Sequence, residues 1–321
     1  MLARSGISRI WSRSFSSIWE KRIDDFTPIR IQSTSDVFVR QYDWKADCIE
    51  PKTKFIYPEN GTTFSHTDSL QLSCTEGESE PVNAQIPVKS PLFVKCSENA
   101  SVDVIGHEAD IEIKTDTGRC TLKSVKASTT SVISKSGTVQ LNSIVSNCTI
   151  MTGGNVLAKK IQGERLTIST TSGSVHVGSL YAPDGKIFGK YGDIKIDNIH
   201  GNCKIVSGNG SVTIGSSKDN LDIQCRGGEV NVTLQDIDQQ VSIQSFGGNV
   251  KLYLSDEVCS KCMLNISSSA KAEVTDEIKE LVNKNTQASA IVTVLVYDAA
   301  IFVAKAKSWG QSMWDKINNL D

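Results

Sequence analysis

The sequence predicts an all-β protein: a right-handed parallel β-solenoid of about 18–19-residue coils, with an irregular β N-terminal cap and a short C-terminal helix. Three observations carry that reading. A glycine recurs at Gly118, Gly137, Gly154, Gly173, Gly192, Gly210, Gly228 and Gly248, in steps of 19, 17, 19, 19, 18, 18 and 20 residues. Two and four residues after each glycine stand small or apolar side chains, from Cys120 and Leu122 through Val175 and Val177 to Val250 and Leu252. Four or five residues before it stands an isoleucine: Ile113, Ile133, Ile150, Ile168, Ile187, Ile205, Ile223 and Ile243.

Apolar residues two apart share one face of a strand, and most of these are β-branched, which suits a pleated, packed surface. The glycine supplies a corner where the backbone is expected to need positive φ. One such unit cannot bury its own apolar face, but stacked copies can, each strand pairing with its equivalents above and below. Eight units at the ~4.8 Å strand spacing make a rod about 40 Å long. A β-sandwich has no reason to repeat one frame eight times, and a left-handed hexapeptide solenoid would keep a strict six-residue subperiod; the drift from 17 to 20 residues favours the right-handed form.

Units such as ISTTSGSVHV at 168–177 and IQCRGGEVNV at 223–232 resemble the putative-adhesin β-solenoid domain family, whose members occur in bacteria and, with unknown function, in animals. The resemblance spans about residues 85–254 and rests on a repeat, so it implies a fold and no activity.

Taken in order, residues 1–19 (MLARSGISRIWSRSFSSIW) contain no acid, carry Arg4, Arg9 and Arg13, and place Ile7, Ile10, Trp11, Phe15 and Ile18 at helical spacing. This pattern predicts a mitochondrial transit peptide, with cleavage after Phe15. Residues 20–35 read as a linker, and 36–100 as the N-terminal cap with atypical coils, from short apolar runs at 37–39, 54–57, 70–72 and 92–94. Residues 101–258 form the regular solenoid, and 259–321 the terminal coils and cap. Within that last part, 275–285 predicts a short helix capped by Thr275 or Asp276, with Ile278, Leu281 and Val282 inward. The apolar run 288–304 is short of the ~20 residues a membrane helix needs, and Asp298 near its middle would cost about 3 kcal/mol there. Its Ile, Val and Thr content predicts two strands, 290–296 and 301–304, turned at Tyr297 and Asp298. Residues 308–320 place Trp309, Met313, Trp314, Ile317 and Leu320 on one helical face, expected to cap the open end of the core.

Little catalytic chemistry is legible. The formal net charge is −2 and no basic stripe appears, which disfavours nucleic acid. Of the nine cysteines, Cys120, Cys148 and Cys203 sit at or beside apolar repeat positions and read as buried small hydrophobes. Cys259 and Cys262 form a CxxC without a second CxxC or a nearby histidine, so neither a zinc site nor a redox pair is expected. The Asn-Xaa-Ser/Thr sequons, Asn60 and Asn209 among them, read as by-products of the repeat. On the outward face, Asp193 and Glu229 lie two coils apart, roughly 9 to 10 Å if aligned, a separation known in inverting glycosidases. No sugar-stacking aromatic accompanies them, so they read as solvated surface acids. No phosphate loop or nucleophile elbow occurs. The expected function is a non-enzymatic binding or scaffold module in the mitochondrial matrix, with a protein partner, no cofactor, no metal, no nucleic acid and no membrane span. A carbohydrate-binding or carbohydrate-active solenoid is the alternative.

Overall fold

The computed structural model describes residues 16–22, 26–41, 52–58, 62–66, 69–74, 81–283 and 288–307. Most of the expected transit peptide, and the helix expected at 308–320, lie outside the described residues.

Each coil lays down two strands, as the repeat demands. The strand before the glycine joins one parallel ladder, ladder A, seen in Arg165–Thr170, Asp184–Gly189, Cys203–Ser207, Leu221–Cys225 and Gln240–Ser245. The strand after it joins ladder B, seen in Val156–Gln162, Val175–Tyr181, Ile194–His200, Val212–Lys218, Val230–Leu234 and Val250–Leu254. Ile168, Val175, Val177, Ile205, Val212 and Ile214 are buried between the two ladders, as their spacing predicts. Alternation fixes which residues point out, because a period of two admits one inward set per strand. One assignment needs correction. Within Cys120–Ser134, Val132 fills the interior and Ile133 faces out, because Val132 is the register partner of the inward Ile113 and Ile150.

The glycine column also has a different cause from the one expected. The described glycines at positive φ are Gly106, Gly201 and Gly247, none of them in the column. The column glycines are instead required by close approach between rungs. A Cβ on Gly137 would lie 2.0 Å from the Gly118 oxygen, one on Gly210 2.1 Å from the Gly192 oxygen, and one on Gly248 1.9 Å from the Gly228 oxygen. Three residues before the corner runs a buried column of hydroxyls and thiols. Ser207 and Ser245 each donate to the corner glycine carbonyl at 2.6 Å, and the Cys225 thiol does so at 3.2 Å. Cys74 and Cys96 continue this column across Ser33.

The stack is longer than eight units, because both ends add rungs out of sequence order. Ile29–Ser33 sits between Leu70–Cys74 and Leu92–Cys96, and Val37–Gln41 between Val82–Ile86 and Val102–His107. At the other end, Ala290–Val296 sits between Gln240–Ser245 and Cys262–Ser268, and Ile301–Lys305 between Val250–Leu254 and Ala272–Val274. The first and last coils of the described chain are therefore each held between two neighbours. Thirteen rungs result among the described residues, making a stack about 58 Å long at the ~4.8 Å spacing.

Residues 20–35 are accordingly not a linker. Ile29, Ile31 and Ser33 alternate inward, and Ser16–Arg22 runs antiparallel to Lys52–Pro58. The expected transit peptide boundary at residue 19 thus cuts into a strand. That strand brings Trp19 against Phe55 and Phe64, with ring centroids 5.8 and 4.3 Å away, and the three rings cover the N-terminal end of the core. At the other end, helix α1 (Asp256–Lys261) was not legible; the Ser255 hydroxyl caps it by accepting from the Val258 amide at 3.1 Å. Helix α2 (Asp276–Asn283) follows the expected placement, with Ile278 buried. Lys305 reaches Asp256 at 2.9 Å and Glu277 at 3.1 Å, tying both helices to the inserted coil. The run 288–304 yields strands, as expected, and no helix among the described residues is long and apolar enough to cross a membrane.

Candidate functional site

Asp193 and Glu229 are placed on the outer surface, each engaged by a different partner. The Asp193 Oδ1 accepts from the Ser211 amide of the next rung at 2.8 Å. Asn155 and Asn249 hold the amides of Ser174 and Ala300 in the same way, at 2.8 and 3.0 Å. Asp193 is one clamp in a series, and its hydrogen-bonding capacity is partly consumed by backbone. Glu229 stands 3.9 Å from the Lys251 ammonium, an exposed pair of small energetic weight.

The CxxC is split between α1 and the strand that follows it. Cys259 and Cys262 are buried free thiols. Burial pushes the Cys259 thiol up to about 12 and raises that of Cys262. Thiolate is the reactive form, so this environment opposes redox exchange. The buried readings of Cys120, Cys148 and Cys203 agree with their positions, and burial holds each thiol protonated. No group of three or more His, Cys, Asp or Glu among the described residues is arranged to hold a metal ion.

Two outer features escaped the sequence reading. The first is an apolar row on ladder A. Ile133, Met151, Ser169, Phe188 and Val206 are successive register partners. Ile133, Met151 and Phe188 are 40, 47 and 36 % exposed. The parallel row Ser131, Thr149, Thr167 and Lys186 flanks them with polar groups. The second is aromatic. Tyr181 stacks on His200 at 4.5 Å with Lys160 on its ring at 5.1 Å, and Phe246 stacks on Tyr297 at 5.1 Å. Both pairs arise from residues at equivalent places on neighbouring rungs, which sequence separation hides.

The ladders, the glycine column and the capped ends define a β-solenoid. Residues 149–295 match the family model described as Toastrack DUF4097, and the chain carries a Toastrack DUF4097 domain over that segment, in line with the resemblance read from the repeat units. No curated protein matches the chain. Among solved structures, a putative adhesin from Parabacteroides merdae is 17 % identical, with 91 % of this chain and 98 % of that one covered and a TM-score of 0.34. A putative adhesin from Bacteroides fragilis is 11 % identical, with coverage of 90 % and 97 % and a TM-score of 0.32. A putative lipid binding protein from Parabacteroides distasonis is 13 % identical, with coverage of 91 % and 98 % and a TM-score of 0.37. Likeness at this level defines no shared function.

Proposed function

We propose that the chain is a non-enzymatic binding scaffold that recognises a protein partner through the outer face of ladder A. The observation that supports this is the row of Ile133, Met151 and Phe188, exposed in register on a sheet face whose other outward positions are mostly polar. A sheet with one solvated face ordinarily alternates apolar-in and polar-out, and exposed apolar side chains gathered in one row, here interrupted by Ser169 and edged by polar groups, suit a docking surface. The basic, acid-free N-terminal segment supports a mitochondrial matrix location. Proximity labelling in intact cells with the full chain is the test. Reproducible matrix protein neighbours, lost on Met151→Glu or Phe188→Glu in variants that still fold, support the reading. Neighbours that are unchanged in both variants refute the face, and a cytosolic chain with an intact Met1 refutes the location.

A second reading, carbohydrate binding, draws on the stacked Phe246 and Tyr297 rings, both exposed. A saccharide panel that yields saturable binding lost in Tyr297→Ala supports it; a flat panel removes it.

A further inference from the structure

We propose that the outer face of ladder B carries a separate docking groove for an extended acidic protein segment anchored by one aliphatic side chain. The groove has a volume of about 590 Å³, and Leu141, Leu157 and Ala158 form its apolar part. Leu157 belongs to an outward column that runs Asp103, Thr121, Gln140, Leu157, His176, Lys195, Thr213, Asn231 and Lys251 in ladder register. It is the sole aliphatic member of that run and is 42 % exposed. Beside it, Gly178 carries no side chain, because a Cβ there would lie 2.6 Å from the Lys159 oxygen of the neighbouring rung. Ala158 and Leu141 are buried on the inward side and give the groove only its floor beside Leu157. The depression thus lies where Gly178 has no side chain, next to one outward leucine.

Charge selects the occupant. Lys123 and Lys159 border the groove. Among the described residues neither has a carboxylate within ion-pair distance, whereas Lys114, Lys135, Lys204 and Lys261 all do. The groove's own acid, Asp197, is engaged by His176 at 3.3 Å and Lys195 at 3.9 Å. The rim is therefore net positive and calls for an anionic partner. Gln140 and Asn142 offer amide donors and acceptors suited to a peptide backbone. An open groove on a sheet face cannot enclose a long acyl chain, but it can seat a single side chain of a segment laid across it. This surface lies on the other ladder from the Ile133–Met151–Phe188 row, so it stands or falls independently of that row.

The test is fluorescence anisotropy on the full chain with three labelled synthetic peptides: glutamates around a central leucine, the same peptide with lysines for glutamates, and the same with glycine for leucine. The expected result is saturable, salt-sensitive binding of the first alone. Leu157→Ser, and the double change Lys123→Glu with Lys159→Glu, should each weaken it by about tenfold or more, the effect of losing a central anchor or reversing complementary charge. Phe188→Glu should bind as the unaltered chain does, and melting curves should show all variants folded. Equal binding of the acidic and basic peptides, insensitivity to Leu157→Ser, or no binding overturns the proposal. So does tighter capture by phosphatidylserine vesicles than by the acidic peptide, lost in the same variants, which would assign the groove to a lipid surface.

Discussion

Gly227 and Gly228 are adjacent and indistinguishable in composition, yet they should respond unequally to alanine. A Cβ on Gly228 would stand 2.3 Å from the Gly210 oxygen, 2.4 Å from its carbonyl carbon and 2.5 Å from the Ser211 nitrogen. All three are backbone atoms of the neighbouring rung, and ordinary contact needs ~3.5 Å or more. Relief requires local separation of two rungs. That strains packing by about 1–3 kcal/mol and weakens corner hydrogen bonds such as Val212 N–H to Glu229 O, 2.8 Å long, each with a net worth of about 1 kcal/mol. Against this, alanine lowers unfolded-state entropy by about 0.4–1 kcal/mol. The net expectation for Gly228→Ala is a loss of roughly 2–4 kcal/mol, or a melting temperature lower by roughly 5–15 °C. A Cβ on Gly227 meets the Asn209 side-chain oxygen at 3.3 Å, its Cα at 3.6 Å and the Gly208 oxygen at 3.7 Å, none closer than 3.0 Å, so Gly227→Ala should stay within about 1 kcal/mol of the parent. Urea and thermal unfolding followed by circular dichroism measure both. Equal losses, or a larger loss at Gly227, refute the close-approach explanation of the repeat.

Further outcomes follow from the same geometry. Val212→Asp should destabilise far more than Thr213→Asp, because one charge enters a closed interior and the other meets water; equal melting temperatures contradict the assigned faces. Asp193→Asn and Glu229→Gln should leave stability and cellular role intact, since asparagine retains the oxygen that holds Ser211, whereas Asp193→Ala should cost about 1 kcal/mol; lost activity in a stable Asn or Gln variant would favour an enzyme. Buried His107 is pushed down from 6.5 to about 4 by burial, opposed by its hydrogen bond to the Ser90 backbone. A depressed folded value means the unfolded chain binds the proton more tightly, so this contribution is complete above pH 6.5 and is lost as pH falls toward 4, by about 3 kcal/mol in all. Unfolding at stepped pH should show that loss shrink in His107→Leu; an identical pH profile in that variant discounts it. N-terminal sequencing of the endogenous protein should find Ser16 first. A chain starting at Ser16 should melt like the full one, while deletion through residue 22 removes Trp19 from the Phe55 and Phe64 cluster and should cost about 3 kcal/mol; equal melting for both deletions contradicts the cap.

Much of the architecture was legible because a solenoid writes its cross-section into local periodicity. The glycine frame gave both ladders, and the β-branched content of 288–304 gave Ala290–Val296 and Ile301–Lys305. What periodicity does not encode is which rung stacks on which. Ile29–Ser33 and Ala290–Val296 have the same alternation as any other rung, so their insertion between non-consecutive coils left no local signal. The role of the glycines was hidden for the same reason, since close approach depends on a residue one coil away. Ile133 looked like core because it neighbours Val132 within the repeat's tolerance of one position, and that slip concealed the exposed row. Leu157 stood in plain view among polar outward residues, but its place beside Gly178 and Lys123 depends on neighbouring coils.

Hydrogen exchange of the full chain, with and without a protein neighbour recovered by proximity labelling, tests the binding-scaffold account most directly. The account predicts slowed exchange on binding concentrated in the strands that carry Ile133, Met151 and Phe188, namely Cys120–Ser134, Ile144–Thr152 and Asp184–Gly189. Protection that falls elsewhere, or none at all with a neighbour that binds, contradicts it.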